Sequence, residues 1–292
     1  MKSFSTADVP DIPGRRVIVT GANSGIGQVA ATVLAAAGAE VVLAVRDLQK
    51  GRAAAARMPG RTEVRALDLA SLDSVRAFAA GWEGEIHLLI NNAGVMVPPL
   101  SRTKDGFELQ FGTNHLGHFA LTNLLLPRVS GRVVTVSSGA HRAGTIDFDD
   151  LNWERRRYRR WAAYGQSKLA NLLFTKELQR RLTAAGSPVL AVAAHPGYAA
   201  TNLQSHTGNA LWDRLGNLGN ALFAQSAAAG ALPTLYAAFA DIPGDSYAGP
   251  GGFQEMRGAP RLVGRSARAQ DEQVARRLWE VSEDLTGTRF PL

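Results

Sequence analysis

The sequence predicts an α/β protein built on a doubly wound parallel sheet of about seven strands, with helices on both faces. Two observations indicate this fold. Short apolar runs rich in β-branched residues alternate with longer helical segments along the chain. The strand runs are almost continuously hydrophobic, which is typical of parallel strands covered on both faces. Repeated strand–helix–strand units with right-handed crossovers then produce an open, doubly wound sheet.

The first two strands and helices follow one another closely. Arg16–Thr20 is a short run of β-branched residues and predicts a buried strand. The Ala-rich segment Gln28–Ala37 predicts a helix that ends at Gly38, because glycine tolerates the left-handed conformation that follows a helix. Glu40–Val45 predicts a second buried strand, and Gln49–Met58 predicts a helix that stops before a proline and a glycine.

The middle of the chain continues this alternation. Val64–Leu67 and Ile86–Ile90 predict the third and fourth strands. Between them, Ser71–Ala80 predicts a helix whose first residue is the N-cap, since a serine side chain accepts hydrogen bonds from the free amides of the first turn. A long helical segment, Phe107–Leu126, ends before a proline, which cannot continue a helix.

The last part of the chain contains further core elements and one segment of a different kind. The elements predicted in order are the strand Arg132–Val136, the helix Ala162–Ala185, the strand Val189–Ala194, the helix Gln225–Phe239, a final edge strand at Gly249–Phe253 and the helix Glu272–Leu285. Residues 198–224 interrupt this order with glycines among leucines. This segment predicts either a helical lid over a substrate or a packed pair of surface helices.

Length and composition restrict the classes of protein to which the chain can belong. The 292 residues predict a single domain, 1–292, and 46% hydrophobic residues supply a large core. The absence of cysteine excludes disulfides, thiolate zinc sites and cysteine nucleophiles. His141 and His195 have no further ligands at metal-binding spacing, so no metal site is expected. No signal peptide and no membrane span are expected, and a cytoplasmic location fits.

The chain carries a net charge of +7, and its densest basic run is Arg155–Arg160. A basic surface can bind nucleic acid or an anionic cofactor. This run is short, and no nucleic-acid-binding motif surrounds it. We therefore expect a solvated loop or helix start here and no nucleic-acid partner.

A glycine-rich turn joins the first strand to the first helix. Its glycines allow tight turning and close approach to a pyrophosphate, and the helix N-terminus behind them favours an anion. The spacing differs from the common dinucleotide fingerprint, but the position at the first strand–helix junction predicts a dinucleotide site. The predicted cofactor contacts in this turn are Gly21, Asn23, Ser24, Gly25, Ile26 and Gly27.

The end of the second strand bears on which dinucleotide binds. An acidic side chain there would hold the ribose 2′-hydroxyl of NAD, whereas an arginine would accommodate the 2′-phosphate of NADP. Arg46 follows the strand at once and suits a phosphate through its rigid fork of donors. Asp47 comes next and would reach the ribose after a shift of one residue. We expect NADP, with NAD as the alternative.

Further candidates follow the ends of the later strands, where ligands of such sheets bind. They are Asp68, Leu69, Asn92, Ala93, Gly94, Pro196, Gly197 and Thr201. The first two could meet an adenine ring, and the small residues at 92–94 would let the backbone approach the cofactor. The residues from Pro196 onward are candidates for the carboxamide side of a nicotinamide. The patterns at 68–69 and 92–94 also fit ordinary turn chemistry.

Tyr164 and Lys168 place a phenol and an ammonium four residues apart in a predicted helix. Residues at this spacing share one face of a helix. An ammonium there favours the phenolate, so we expect the pKa of Tyr164 to lie below its ordinary value. A tyrosine tuned in this way transfers protons near neutral pH. Alone, the spacing also fits a solvated helix face, but Ser138 ends the fifth strand in the same crevice.

Taken jointly, these motifs resemble the short-chain dehydrogenase/reductase family, whose fold is of the Rossmann type. The resemblance covers about residues 15–203. Within the family the chain is similar to the retinol-dehydrogenase-like branch. The matching features are the glycine turn, Asn91 to Gly94, Asn114, Ser138, Tyr164 with Lys168, and Pro196 with Gly197.

The resemblance implies a role for each matching residue. Tyr164 would be the general acid in carbonyl reduction and the base in alcohol oxidation. Lys168 would lower its pKa and hold the nicotinamide ribose, and Ser138 would hydrogen-bond the substrate oxygen. Asn114 would hold a water that links Lys168 to solvent. The implied substrate is a small carbonyl compound or alcohol. We expect its body to be apolar because Met96, Pro98, Pro99, Trp153 and the leucines of 198–224 offer apolar surface.

Three points stay open in this interpretation. Ser138 and Tyr164 lie 26 positions apart, about twice the separation in many family members, and the insert 139–163 between them has no assigned role. A catalytically weak NADP(H)-binding sensor on the same fold is the alternative function. A homodimer or homotetramer through the predicted helices Phe107–Leu126 and Ala162–Ala185 fits the resemblance.

Overall fold

A computed structural model describes residues 3–197 and 226–292 of the chain. The predicted lid at 198–224, which includes Thr201, lies outside the described residues. The described residues form one sheet with helices on both of its faces. The α/β class and the doubly wound parallel sheet are therefore confirmed.

The sheet has eight strands in the order β3-β2-β1-β4-β5-β6-β7-β8. Their bounds are β1 Arg16–Thr20, β2 Glu40–Val45, β3 Arg61–Ala66, β4 Ile86–Asn91, β5 Val129–Val136, β6 Leu190–Ala194, β7 Tyr247–Pro250 and β8 Pro260–Leu262. Neighbours from β3 to β7 are parallel, and β8 is antiparallel to β7. The order reverses beside β1 and β4, so their carboxyl ends border the crevice in which such a sheet binds its ligand.

The predicted edge strand Gly249–Phe253 is wrong in position and in kind. β7 begins two residues earlier, at Tyr247, and is paired on both sides, by β6 and by β8. The chain then turns through glycines into a single 3-10 turn at Phe253–Glu255 before β8 forms the edge. β8 escaped the sequence analysis because three residues are too short to show a period.

The helices divide between the two faces of the sheet. Their bounds are α1 Gly25–Ala36, α2 Leu48–Ala55, α3 Leu72–Ala80, α4 Leu109–Phe111, α5 Gly117–Leu125, α6 Arg160–Ala184, α7 Ala227–Phe239 and α8 Glu272–Thr286. One apolar core lies beneath α1, α2 and α7, and the other beneath α3, α5, α6 and α8. Alternate residues of β1 enter opposite cores, as the pleat of a strand requires.

The predicted long helix Phe107–Leu126 is interrupted. Between α4 and α5 the chain forms a π turn, Gly112–Leu116, with Asn114 at its centre. Gly117 has no side chain, and the carbonyl oxygen of Leu69 packs where its Cβ would stand. Single π turns inside helices commonly mark functional sites. Here the turn directs the Asn114 side chain towards the loop after β4 and towards α6.

Candidate active site

Tyr164 and Ser138 meet at the carboxyl end of β5. Tyr164 lies in the first half of α6 and is only 8% exposed. Burial raises its pKa to about 12, and a hydrogen bond with the Ser138 side chain acts in the opposite direction. We expected a lowered pKa, and the structure gives the opposite because burial outweighs the favourable contacts. The pair places two hydroxyl groups side by side in the crevice.

Lys168 is buried one helical turn after Tyr164. Its Nζ donates to the carbonyl oxygen of Val136 over 3.0 Å, at the end of β5, and lies 5.7 Å from the centre of the Tyr164 ring. Burial lowers the pKa of Lys168 to about 8. The ammonium is therefore charged at neutral pH but loses its proton far more readily than a solvated lysine.

The Asn114 side chain ties three elements together. Its Oδ1 accepts from the backbone N–H of Val95 over 2.8 Å, and its Nδ2 donates to Val95 O and to Ser167 Oγ over 2.9 Å each. The amide therefore joins the π turn to the loop after β4 and to α6. These bonds engage both the oxygen and the nitrogen of the amide. The expected role of Asn114 in holding a water stays a prediction. A Cβ on Gly94 would stand 3.0 Å from Asn114 Oδ1 and 3.7 Å from Lys168 Nζ.

The glycine turn packs directly against Asn92 and Ala93. The Asn92 side chain donates to Thr20 O over 2.8 Å, and the amides of Asn92 and Ala93 both donate to Thr20 Oγ1 over 2.9 Å. A Cβ on Gly27 would collide with the Asn92 amide and lie 2.7 Å from Gly21 O. Two predicted cofactor motifs, distant in sequence, therefore form one surface.

The N-terminus of α1 has amides that no side chain caps. Ser24 occupies the N-cap position but its side chain makes no capping hydrogen bond. By contrast, Asp47, Ser71 and Asp271 cap α2, α3 and α8. The free N–H groups and the positive end of the helix dipole suit a phosphate. This end of α1 fits the pyrophosphate of a dinucleotide.

Arg46 and Asp47 differ in what they can offer a ligand. Asp47 accepts from the Lys50 backbone N–H over 3.0 Å and pairs with the Lys50 side chain at 3.5 Å, so it serves as the N-cap of α2. Arg46 is exposed and, within the described parts of the chain, forms no hydrogen bond or ion pair. The free cation at the end of β2 is consistent with a 2′-phosphate.

Asp68 and Leu69 lie where β3 ends. Asp68 Oδ1 accepts from the Ala70 amide over 3.0 Å, which is turn chemistry. Leu69 is buried, and its carbonyl oxygen occupies the space where a Cβ on Gly117 would stand. Both residues border the crevice beside β1 and β2, a position from which they could contact an adenine ring. This contact stays a prediction.

Pro196 and Gly197 follow β6 and end the first described stretch. Gly197 has a φ of +69° and donates its N–H to His195 Nδ1 over 3.2 Å. The turn therefore takes its position from the buried ring of His195. In the parts of the chain that the structure describes, no cluster of three or more His, Cys, Asp or Glu residues could hold a metal ion.

The insert 139–163 folds against α4 rather than projecting from the surface. The Tyr158 hydroxyl donates to the buried Glu108 carboxylate over 2.8 Å and accepts from Gln110 Nε2 over 2.9 Å. Burial raises the pKa of Glu108, and its hydrogen bonds partly offset this effect. Gln110 Oε1 also accepts from the Val97 amide. The insert thus buttresses the loop after β4, which borders the crevice.

Part of the basic run is occupied inside the insert. The Arg156 guanidinium lies 3.7 Å from the centre of the Trp153 ring and forms ion pairs with Asp147 and Asp150. Arg155 donates to the carbonyl oxygen of Asp149. These contacts give two of the arginines a structural role.

Two polar groups near the site were missed by the sequence analysis. The His118 ring bonds Thr20 Oγ1 over 2.9 Å and Asn114 O over 3.0 Å, linking the glycine turn to the π turn. Its spacing of four from Asn114 was the available signal. The Tyr247 ring is buried against His141 and His195, and its hydroxyl lies beside Ser137. Nothing local in the sequence points to Tyr247, because β7 reaches the site only through the sheet.

Comparison with known proteins identifies the family of this chain. Residues 15–211 match the family described as short chain dehydrogenase. The chain belongs to the short-chain dehydrogenase family. It is similar to human retinol dehydrogenase 13, with 48% identity covering 96% of this chain and 87% of that protein. It is also similar to human retinol dehydrogenase 12, with 43% identity over 96% and 88%.

Solved structures of other proteins share the fold. A crystal structure of an uncharacterized protein from Mycobacterium Paratuberculosis covers 100% of both chains with 56% identity and a TM-score of 0.88. The Pseudomonas aeruginosa RhlG/NADP active-site complex covers 81% of this chain and 94% of that one, with 24% identity and a TM-score of 0.63. The second likeness shows the fold alone.

This short-chain dehydrogenase is an NAD(P)-dependent oxidoreductase. The expected membership of the retinol-dehydrogenase-like branch is confirmed. The glycine turn follows β1 and Gly94 follows β4, while Lys168 and the Tyr164–Ser138 pair lie at the carboxyl end of β5. None of the helices among the described residues is both long and apolar enough to cross a bilayer.

Proposed function

We propose that this short-chain dehydrogenase uses NADP to interconvert an apolar aldehyde or ketone and the corresponding alcohol. The observation that carries the proposal is the buried Tyr164–Ser138 hydroxyl pair, with the Lys168 ammonium one helical turn away. The names of the relatives, retinol dehydrogenases, favour an apolar alcohol of that kind as the substrate.

The hydroxyl groups of Tyr164 and Ser138 have different roles at the substrate oxygen. When bound, the nicotinamide supplies or accepts the hydride. In reduction, Tyr164 donates its proton to the carbonyl oxygen while Ser138 donates a hydrogen bond to the same atom. Because the pKa of Tyr164 is raised to about 12, the phenol carries its proton at neutral pH. The Tyr164 phenol of the protein without cofactor therefore already carries the proton that reduction of a carbonyl requires.

The apolar character of the substrate is inferred from Trp161. This side chain is 63% exposed, although it lies three residues before Tyr164 on the same helix. Its ring centre is 6.2 Å from that of Tyr164, in an edge-to-face arrangement. A large exposed indole beside a reacting phenol offers an apolar surface to the body of a substrate.

A spectrophotometric assay tests the activity. Decreasing absorbance of NADPH would be followed with all-trans-retinal and with decanal, each with wild-type protein and with Trp161→Ala. We expect turnover by the wild type, and a higher KM for both aldehydes in the variant without loss of NADPH binding. Tight NADPH binding without turnover on aldehydes or ketones would instead support the alternative, a cofactor-binding sensor.

Arg46 gives the preference for NADP its own test. We expect Arg46→Ala to weaken NADPH binding by about 1.5–3 kcal/mol, the range for a hydrogen bond to a charged group, and to leave NADH binding unchanged. Arg128→Ala is the matched control, because Arg128 is exposed at the amino end of β5, away from the crevice. Equal loss of both cofactors in Arg46→Ala, or tighter binding of NADH than NADPH by the wild type, would refute the preference.

The remaining expectations about partners and location stay predictions. The homodimer or homotetramer stays a prediction, and most side chains of α5 and of α6 up to Leu178 are buried within the chain. The cytoplasmic location and the lack of a nucleic-acid partner also await measurement.

A further inference from the structure

We infer that Glu255, at the tip of the β7–β8 hairpin, is a positioning residue that holds His195 in one tautomer and thereby fixes the Pro196–Gly197 turn of the cofactor site. The inference rests on the proposed function for the role of that turn. Glu255 lies 58 positions after Gly197 in the sequence and outside every motif of the crevice.

The hydrogen bonds of His195 determine where its proton sits. The Gly197 backbone N–H can only donate, so His195 Nδ1, 3.2 Å from that nitrogen, must be the acceptor. The ring proton is then on Nε2, which donates to Glu255 Oε2 over 3.1 Å. His195 is only 2% exposed, and burial, followed by the charges of His141 and Arg142, lowers its pKa to about 4. The ring is therefore neutral, with a single tautomer that satisfies both neighbours.

The hairpin tip is shaped to bring Glu255 to this ring. Gln254 and Glu255 have φ angles of +48° and +56°, a left-handed conformation that non-glycine residues rarely adopt. Such conformations persist only where surrounding contacts over-determine them. The His195 ring also fills the space where a side chain on Gly249 would stand. The left-handed backbone at Gln254 and Glu255, and the glycine at position 249, both allow Glu255 and His195 to come into contact.

The same carboxylate reaches the loop of the catalytic serine. Glu255 Oε1 pairs with Arg142 Nη2 at 3.2 Å, in the 3-10 turn that follows Ser138. Arg142 Nη2 also donates to Gly264 O over 2.8 Å. One side chain therefore connects the hairpin to both loops that flank the reacting groups. Without the Glu255 carboxylate, His195 can also adopt the tautomer with its proton on Nδ1. In that tautomer the ring N–H would face the backbone N–H of Gly197.

The state of His195 can be read directly by ¹⁵N NMR of the histidine side chains in the protein without cofactor. We expect the Nε2–H tautomer in the wild type and a mixture of tautomers in Glu255→Leu. Glu255→Gln keeps an acceptor oxygen for His195 Nε2–H and should retain the wild-type tautomer. Dissociation constants for NADPH, from fluorescence titration, should rise about fivefold to tenfold in the Leu variant and much less in the Gln variant.

The control is Glu272→Leu, which removes an exposed carboxylate that pairs with Lys176 and Arg276 outside the crevice. It should change neither readout. A wild-type His195 that carries its proton on Nδ1 overturns the inference without any variant. So does a Glu255→Leu protein with the wild-type tautomer and NADPH affinity. If the wild type binds no NADPH, the proposed function fails, while the tautomer comparison still decides whether Glu255 sets His195.

Discussion

Burial decides the protonation of Tyr164 and Lys168, and it moves their pKa values apart. The phenol is raised to about 12 and the ammonium is lowered to about 8, each because burial disfavours its charged form. The sequence predicted the spacing of the pair correctly but the wrong direction for the tyrosine. Spacing fixes which groups are neighbours, whereas the cost of desolvation depends on everything packed around them.

The pKa of Lys168 predicts how carbonyl reduction responds to pH. Below about 8 the ammonium is charged and supports the oxygen charge that develops in reduction, and above it this charge is lost. Tyr164 keeps its proton through the same range. We expect kcat/KM for reduction to fall as pH rises through about 8, with up to about a tenfold loss per pH unit. Initial rates from roughly pH 6 to roughly pH 10 measure this. A profile that stays flat beyond pH 9 would contradict it.

Replacing the phenolic hydroxyl removes the proposed proton donor. Tyr164→Phe should lower kcat for reduction by about 10²- to 10⁴-fold, the usual contribution of a general acid, with NADPH binding nearly unchanged. Stopped-flow or steady-state rates with an aldehyde, together with fluorescence titration of NADPH, separate the two effects. Tyr236→Phe serves as control, because that ring packs on Phe4 at the opposite core. An unchanged kcat in Tyr164→Phe would refute the mechanism.

At the scale of elements, the sequence predicted what depends on local pattern. The first four strands and the helices α1 to α3 match to within a few residues, because apolar runs and glycine stops encode them. The π turn at Asn114, the docking of the insert on Glu108 and the hairpin that carries Glu255 were missed. Each depends on contacts between residues far apart in the chain, such as Gly117 with Leu69, which a local pattern does not contain.

The glycine turn and the loop after β4 form one surface only because Gly27 lacks a side chain. A Cβ there would meet the Asn92 amide and stand 2.7 Å from Gly21 O. We expect Gly27→Ala to lower the free energy of unfolding by about 1–3 kcal/mol through overpacking and to weaken NADPH binding. Chemical denaturation and NADPH titration measure the two effects. Gly264→Ala, at a glycine with no atom within 4 Å of an added Cβ, should behave as the wild type.

Tyr158 joins the insert to α4 through the buried Glu108 carboxylate. Tyr158→Phe removes a donor that lowers the pKa of Glu108 and should lower the free energy of unfolding by about 1–3 kcal/mol. A carboxyl whose pKa is raised on folding favours the folded state most below its ordinary value of 4.5, and this advantage disappears as pH rises through the raised pKa. The variant should therefore lose more stability at neutral pH than at pH 4. Denaturation at both pH values measures this difference, and an equal loss would contradict it.

At the scale of the whole molecule, α8 completes a face that the sheet and its crossover helices leave open. Trp279 stacks on Phe174 of α6 with ring centres 5.7 Å apart and an angle of 8° between the planes, and it meets Phe119 of α5 edge to face at 4.9 Å. The C-terminal helix thus closes one core over the two helices that carry Tyr164 and, through the π turn, Asn114. Both the stability of the chain and the position of its site therefore depend on the contacts of Trp279 with α5 and α6.

Trp279→Ala should therefore act on the fold and on the site together. The side chain is 2% exposed and its Nε1 donates to Glu283 Oε1, so its removal leaves a cavity and takes one hydrogen bond from that carboxylate. We expect a loss of about 3–5 kcal/mol in the free energy of unfolding. Leu292→Ala is the control, because that side chain is exposed at the end of the chain. Denaturant titration followed by circular dichroism measures the change. A loss below about 1 kcal/mol would show that α8 is dispensable to the core and that α5 and α6 are held by the sheet alone.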